Sequence, residues 1–437
     1  METPLNSYCL YVNQIENMAF NLMGTSDISE HKTQISHILD GQPSAVIRNL
    51  VSLNHLKQSG IFFTSEQMAN NLVKPLLQDI EHGAVIADPA CGTGNLLIAC
   101  AKALPIYSDF ESTLSLWGKK IIGIDIHPEL VRATKARLAL LAIYRGARCG
   151  SSIKSLDELL PNIYTADGLS EKLDARCIIL NPPYSIVDAP KECSWASGHI
   201  TLAALFMEKY LLNAMPNDKI YAVLPDVLRT GTRYSKWRKI IGQNAEIISL
   251  DITGQFDKLT DIDVFLLRLR KTISAETDTD WWKSIGNTSN SKSISTVGDI
   301  FDIHVGPVVP HRDTGKGPWM HYIHAKLLPP WERINIASGF SKRRFCGTNF
   351  KPPFVVVRRT SRPGDKFRAT ATLIVGKEPV AVENHLIVLR SRNGLLKDCN
   401  NLLRYLRSER VNKWLDNRIR CRHLTTSALR DLPLEMI

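Results

Sequence analysis

The sequence predicts an α/β protein, built on one large, mostly parallel sheet with helices on both faces and followed by a smaller C-terminal α+β domain. Three observations lead there. Seven short apolar, β-rich runs, at 84–87, 121–124, 162–165, 177–180, 220–224, 246–250 and 264–269, alternate with helical stretches, which implies βαβ units. Acids stand at the ends of three of these strands. Composition then shifts to Ser, Thr and Asn across 272–295, as in a linker, before turn-rich sequence resumes.

Taken in order, residues 1–59 read as a helical preface, with Ile35, Ile38 and Leu39, then Val46, Ile47, Leu50 and Leu53, at helical spacing. Residues 60–271 carry the large sheet. After the linker, 296–437 form the second domain, with β-rich runs at 354–357 and 385–389 and helical segments around 402–415. At 437 residues the chain is long enough for two domains.

Composition narrows the function classes. No apolar run is long enough to cross a bilayer and the N-terminus has no secretory pattern, so a soluble cytoplasmic protein is expected. Nine cysteines without CxxC or His/Cys ligand spacing argue against a disulfide framework or a zinc site, and the four histidines at 304, 311, 321 and 324 fit no standard metal site. The net charge of +11 suits a polyanionic partner but does not identify one.

The chemistry lies at strand ends. In AVIADPACGTGNLLIA an apolar strand ends at Asp88, and a turn with Ala90, Gly92 and Gly94 opens a helix. Such glycines permit a close approach of backbone to ligand, although a turn of this kind is also often structural. The spacing is neither GxGxxG nor GxxxxGK[ST], so a triphosphate is not expected. Asp125 in IIGIDIHPEL is placed to accept hydrogen bonds from vicinal ribose hydroxyls, or alternatively to cap the next helix. Asp167 in YTADGL is suited to an adenine amino group, and together the three acids suggest an adenosine pocket. The most specific signal is CIILNPPYS, where an apolar strand delivers Asn181, Pro182, Pro183 and Tyr184 to the same sheet edge. Two prolines stiffen the loop and remove donors, leaving the Asn181 amide oxygen and the Pro182 carbonyl as acceptors for a planar NH2 group. An ordinary turn is the alternative, weakened by the ordered motifs upstream.

These motifs, from GIFFTSEQMANNLV near Gly60 through DPACGTGN, GIDIHPE, YTADGL and NPPY to KIYAVLPDVLRTG and DVFLLRLRK, resemble the amino-group DNA methyltransferases of restriction-modification systems. The resemblance is to the group in which the cofactor motifs precede the catalytic motif and the target-recognition domain comes last. It implies a Rossmann-like, seven-stranded S-adenosylmethionine-dependent methyltransferase sheet with a C-terminal α+β target-recognition domain. S-adenosylmethionine is the implied cofactor, held by Thr64, Asp88, Ala90, Gly92, Gly94, Asp125, Ile126 and Asp167. Asn181, Pro182 and Tyr184 are the implied catalytic residues. Tyr184 would stack on the base, and Phe256 would pack on its far face, with burial in the core as the alternative for Phe256. The implied reaction methylates N6 of an adenine flipped out of duplex DNA, since the amino group is inaccessible within the stack.

Asn at position 181 favours adenine over cytosine N4, while related Asn-Pro-Pro-Tyr enzymes act on RNA bases or a glutamine amide. The C-terminal block SKRRFCGTNFKPPFVVVRRTSRPGDKFRAT places Lys342, Arg343, Arg344, Arg358, Arg359, Arg362, Lys366 and Arg368 among phenylalanines, as candidates for DNA contact or as a solvated basic face. The expected partners are double-stranded DNA and a separate cognate restriction endonuclease, with no membrane, in a bacterial or archaeal, nucleoid-associated monomer or weak dimer. A noncatalytic specificity component retaining the fold is the alternative.

Overall fold

The computed structural model describes residues 6–25, 27–51, 64–148, 154–256, 262–273, 295–312, 315–336, 340–420 and 422–434. The chain divides into two compact units. The first comprises Met1–Arg229, Arg233–Thr253 and Val264–Trp281, and the second Thr230–Thr232, Gly254–Asp263 and Trp282–Ile437. Most of the expected linker, at 274–294, lies outside the described residues.

All seven predicted runs are strands of one sheet. They are β1 (Ile86–Asp88), β2 (Ile121–Asp125), β3 (Ile163–Thr165), β4 (Cys177–Leu180) and, after a short hairpin of β5 (Ile186–Asp188) and β6 (His199–Thr201), β7 (Lys219–Pro225), β8 (Ala245–Gln255) and β9 (Asp263–Lys271). The sheet order is β3-β2-β1-β4-β7-β9-β8. The pairs from β3 through β7 are parallel, and β9 runs antiparallel to β7. Every side chain of β1 and β4 is buried, as a central parallel strand covered on both faces requires. Between β1 and β4 the strand order reverses. In open α/β sheets such a reversal is where ligands bind, at the carboxyl ends of the two strands.

The helix Pro128–Tyr144 is apolar nearly all round and buried along most of its length. On one side it lies against the sheet, and on the other against the N-terminal helices Asn6–Met23 and Gln42–Leu50, where Tyr8, Val12 and Ile47 pack with Leu130 and Ala133. The preface is thus a third layer of the first unit.

The second unit has a five-stranded sheet of β10 (Phe301–Val305), β12 (Arg333–Asn335), β14 (Phe354–Arg358), β15 (Ala371–Val375) and β17 (Leu386–Ser391), and a three-stranded sheet of β11 (Trp319–Ile323), β13 (Lys342–Arg344) and β16 (Val380–Val382). Helices Leu396–Leu406 and Glu409–Arg418 cover one face of the larger sheet through Leu402, Leu406, Val411 and Leu415. The helical stretch expected around 402–415 is therefore two helices. They break at Ser408, whose hydroxyl accepts from the Val411 N–H and starts the second.

Candidate active site

β1 ends in Asp88 and β4 leads directly into Asn181, so the order reversal sets the two side by side. One small cleft, with a cavity volume of about 20 Å³, is lined by Thr64, Asp88, Ala90, Cys91, Gly92, Thr93, Asn95, Leu96 and Asn181. The turn after β1 needs its glycines. Gly92 and Gly94 take φ of 55° and 82°, and a Cβ on Gly94 would stand 2.7 Å from Thr134 Cγ2. A Cβ on Gly92 would project into open space, so this turn is shaped to accept something against its backbone.

The acids differ in environment. Asp88 is only 1% exposed, and its carboxyl accepts from the Ala90 N–H at 3.1 Å. Desolvation with no cation beside it pushes its pKa up to about 8, despite that hydrogen bond. Asp125 accepts from the Gly92 N–H at 2.9 Å and the His127 N–H at 2.9 Å, so it braces the glycine turn and the start of the next helix together. Burial raises its pKa against those hydrogen bonds. Ile126 beside it is 59% exposed, an apolar side chain left open. Asp167 is exposed and accepts from the Leu169 N–H at 2.9 Å. The loop after Asp167 lies close against the Asp88 turn, since a Cβ on Gly168 would meet the Pro89 carbonyl oxygen at 2.0 Å.

Asn181 is pinned at both ends of its amide. Its Nδ2 donates to Thr64 Oγ1 at 2.8 Å, and the Tyr184 hydroxyl donates to its Oδ1 at 2.8 Å. Tyr184 departs from expectation. Its ring is buried, 7% exposed, and its hydroxyl also lies 3.3 Å from the Val223 carbonyl oxygen, so little ring surface is left for a base to stack on in this state. Phe256, just beyond the end of β8, is buried as well, and its N–H donates to Ile262 O. Residues 60–63 of the segment before Thr64 lie outside the described residues.

Two residues that sequence reasoning passed over belong to this site. Asn95 opens the helix Asn95–Ala101 and donates to the Thr64 carbonyl oxygen at 2.7 Å. Arg137, wholly buried, donates to Asn95 Oδ1 at 2.7 Å. A lone arginine in ARLALLAIY was the available signal, since a charge in a helix that apolar must be paired or hydrogen-bonded. Asn95 offered none, being an ordinary polar residue after a glycine.

Residues 46–214 match the N-6 DNA Methylase family model. The matched segment holds Asp88, the glycine turn, Asp125, Asp167 and Asn181 to Tyr184. Among solved structures, the chain is similar to the type IIL restriction-modification enzyme MmeI in its complex with DNA, at 12% identity and a TM-score of 0.53, over 88% of this chain and 69% of that one. It is also similar to the type IIG restriction endonuclease BpuSI (14%, TM-score 0.45, over 98% and 70%) and to the type I restriction enzyme EcoKI M protein (16%, TM-score 0.34, over 59% and 57%). No curated protein matches the sequence. The order and direction of the seven strands agree with the large, mostly parallel sheet that the sequence predicted.

In the second unit the basic block separates into two populations. Lys342, Arg344, Arg362 and Lys366 are exposed, whereas Arg343, Arg358 and Arg359 are half-buried, with Arg343 over the Tyr322 ring and Arg358 donating to the Leu328 carbonyl. Arg368 corrects the expectation of a DNA contact. It is 0% exposed, forms an ion pair with Asp416 at 3.0 Å, and donates to Ser361 Oγ and Ile419 O, so its charge is consumed inside the unit. The interleaved phenylalanines are buried as well: Phe350 and Phe354 pack in the cluster shared by the two sheets, and Phe345 packs with Val308 and Ala381 in a separate one.

Proposed function

We propose that the chain is a site-specific DNA methyltransferase that transfers a methyl group from S-adenosylmethionine to N6 of an adenine flipped out of duplex DNA. It would serve as the modification enzyme of a restriction-modification system. The observation that carries this reading is the single cavity joining the glycine turn and Asp88 to Asn181. The donor set fits the cofactor: a buried acid without a cation, an open backbone cradle at Gly92, a strand-end carboxylate at Asp125 with exposed Ile126 beside it, and Asp167 at the next strand end.

Bound S-adenosylmethionine supplies an electrophilic methyl on a sulfonium centre. Asp88 would meet positive charge on the methionine side and thereby become a full carboxylate. Thr64 is the candidate for the methionine carboxylate, Asp125 for the ribose hydroxyls and Asp167 for the adenine amino group. Asn181 Oδ1 and the Pro182 carbonyl would accept the two amino hydrogens of the target base. That draws electron density toward a nitrogen whose lone pair is otherwise delocalised, so transfer relies on positioning and electrostatics rather than on a strong base. Stacking of the base on Tyr184 or Phe256 would require either ring to become exposed. Lys342, Arg344, Arg362 and Lys366 are the candidate phosphate contacts.

The test is transfer of tritium from labelled S-adenosylmethionine into mixed-sequence duplex DNA by the purified chain, with hydrolysis to single nucleosides. Label in N6-methyl-2′-deoxyadenosine is expected. Label confined to cytosine, RNA or protein, or none at all, would overturn the reading.

A further inference from the structure

Arg137 sits at the middle of the helix Pro128–Tyr144, and its hydrogen-bond partners among the described residues are all neutral. Burial lowers its pKa to about 10, so the guanidinium remains charged at neutral pH in a place where charge is costly. Its donors reach three segments. Nε donates to Ile38 O at 3.0 Å and Nη2 to Leu39 O at 2.9 Å, both at the carbonyl end of the helix Lys32–Leu39, where the helix dipole favours a cation. Nη1 donates to the Thr93 carbonyl of the glycine turn and to Asn95 Oδ1.

From Asn95 the chain of hydrogen bonds continues. Its Nδ2 donates to Thr64 O at 2.7 Å and to Ser44 Oγ at 3.3 Å, and Ser44 Oγ lies 3.2 Å from Thr93 Oγ1. Thr64 in turn accepts from the Asn181 amide. Five links therefore run from Leu39 through Arg137, Asn95, Thr64 and Asn181 to Tyr184. The helix at its far end precedes residue 46, where the family match begins.

We infer that Arg137 is a positioning residue: anchored on the helix Lys32–Leu39, it holds Asn95 and Thr64, and through them the Asn181 carboxamide, in the orientation that transfer requires. The inference rests on the methyltransferase reading. Arg137 itself lines no part of the cavity. A residue that served packing alone would be met as well by a long apolar side chain, because a desolvated charge generally adds little to stability. What an arginine adds here is a rigid fork of donors that ties the backbone at Ile38 and Leu39, the backbone at Thr93 and the Asn95 side chain together at once.

The test uses the full chain with Arg137→Lys, Arg137→Met, Asn95→Asp and Thr64→Val. Asn95→Asp keeps an acceptor for Arg137 but loses the donor to Thr64 O, without a change in side-chain size. Three quantities are read: kcat at saturating cofactor and DNA, the melting temperature, and amide hydrogen exchange of the ligand-free protein. Asn95→Asp and Arg137→Lys should each lower kcat about tenfold or more, by the sensitivity of transfer to small misplacements, with faster exchange in 64–73 and 91–95. Arg137→Met should lose more activity than Arg137→Lys. Adding Thr64→Val to Arg137→Lys should cost less than the product of the separate losses, since both break one chain. Unchanged kcat with a lowered melting temperature, or losses that simply multiply, would reduce Arg137 to a core residue. Should Arg137→Met fail to fold, Asn95→Asp decides. A wild-type chain that methylates nothing would sink the proposed function instead, whereas an active wild type with unaffected variants sinks only this inference.

Discussion

At the residue scale, two side chains carry predictions that separate roles usually merged. Tyr184 donates its hydroxyl to Asn181 and keeps its ring buried, so the hydroxyl and the ring can be tested apart. If pinning Asn181 is the larger contribution, Tyr184→Phe should lower kcat about tenfold with the affinity for DNA unchanged, roughly the worth of one positioned hydrogen bond. A wild-type rate in Tyr184→Phe, with loss only in Tyr184→Ala, would return the residue to stacking. Asp88 bears on pH. Its carboxyl holds a proton up to about pH 8 in the folded chain, whereas an unfolded aspartate releases it near pH 4. The folded state therefore binds more protons across that window, and stability of the ligand-free protein should fall as pH rises through it and flatten above. Asp88→Asn should remove this slope in melting temperature between pH 5 and pH 8 while weakening cofactor binding. An unaltered slope in the variant would assign the titration elsewhere.

At the element scale, the strands were legible because a central parallel strand must be apolar throughout. The run 177–180 coincides with β4, and 84–87 falls within two residues of β1. Strand-end polar residues were legible for the same reason, as Asp88, Asp125 and Asn181 end runs that are otherwise apolar and mostly buried. The basic block was legible only as charge. Nothing in SRPGDKFRAT separates exposed Arg362 and Lys366 from buried Arg368, because the partner that draws Arg368 inward, Asp416, lies on a helix far along the chain. The same limit hid Arg137 and Asn95, whose partners come from residues 38–64. The structure also points to Trp319, 65% exposed and paired across β11 and β13 with Arg344, which lies over its ring at 5.9 Å. An exposed tryptophan braced by an arginine beside Lys342 suits a nucleic-acid surface. Arg344→Ala should weaken DNA binding and reduce the slope of log affinity against log salt by about 1, with the melting temperature unchanged. Arg368→Met should do the opposite, destabilising the second unit by about 3 kcal/mol, as removal of one member of a buried ion pair does, without changing the salt slope. A changed slope in Arg368→Met would restore it as a DNA contact.

At the scale of the whole molecule, each unit owns a core. In the first, the sheet and the N-terminal helices close around the helix Pro128–Tyr144, and in the second Leu373, Ile387, Leu389, Leu402 and Leu415 share one cluster while Phe354, Val356, Ile374 and Val388 form another on the opposite face of the same sheet. Every residue proposed to hold the cofactor, from Thr64 to Asp167, lies in the first unit, and every proposed phosphate contact lies in the second. A ligand stabilises only the cooperative block that binds it, by about 2.7 kcal/mol at a hundredfold excess over its dissociation constant. Because each of these clusters, among the described residues, lies within one block, calorimetry of the full chain should resolve two unfolding transitions. S-adenosylhomocysteine, which cannot transfer a methyl group, should raise one of them and leave the other in place, and Arg368→Met should lower only the transition the ligand leaves alone. A single transition that shifts as a whole with either change would mean that the two units unfold together, and that cofactor binding is felt across the entire chain.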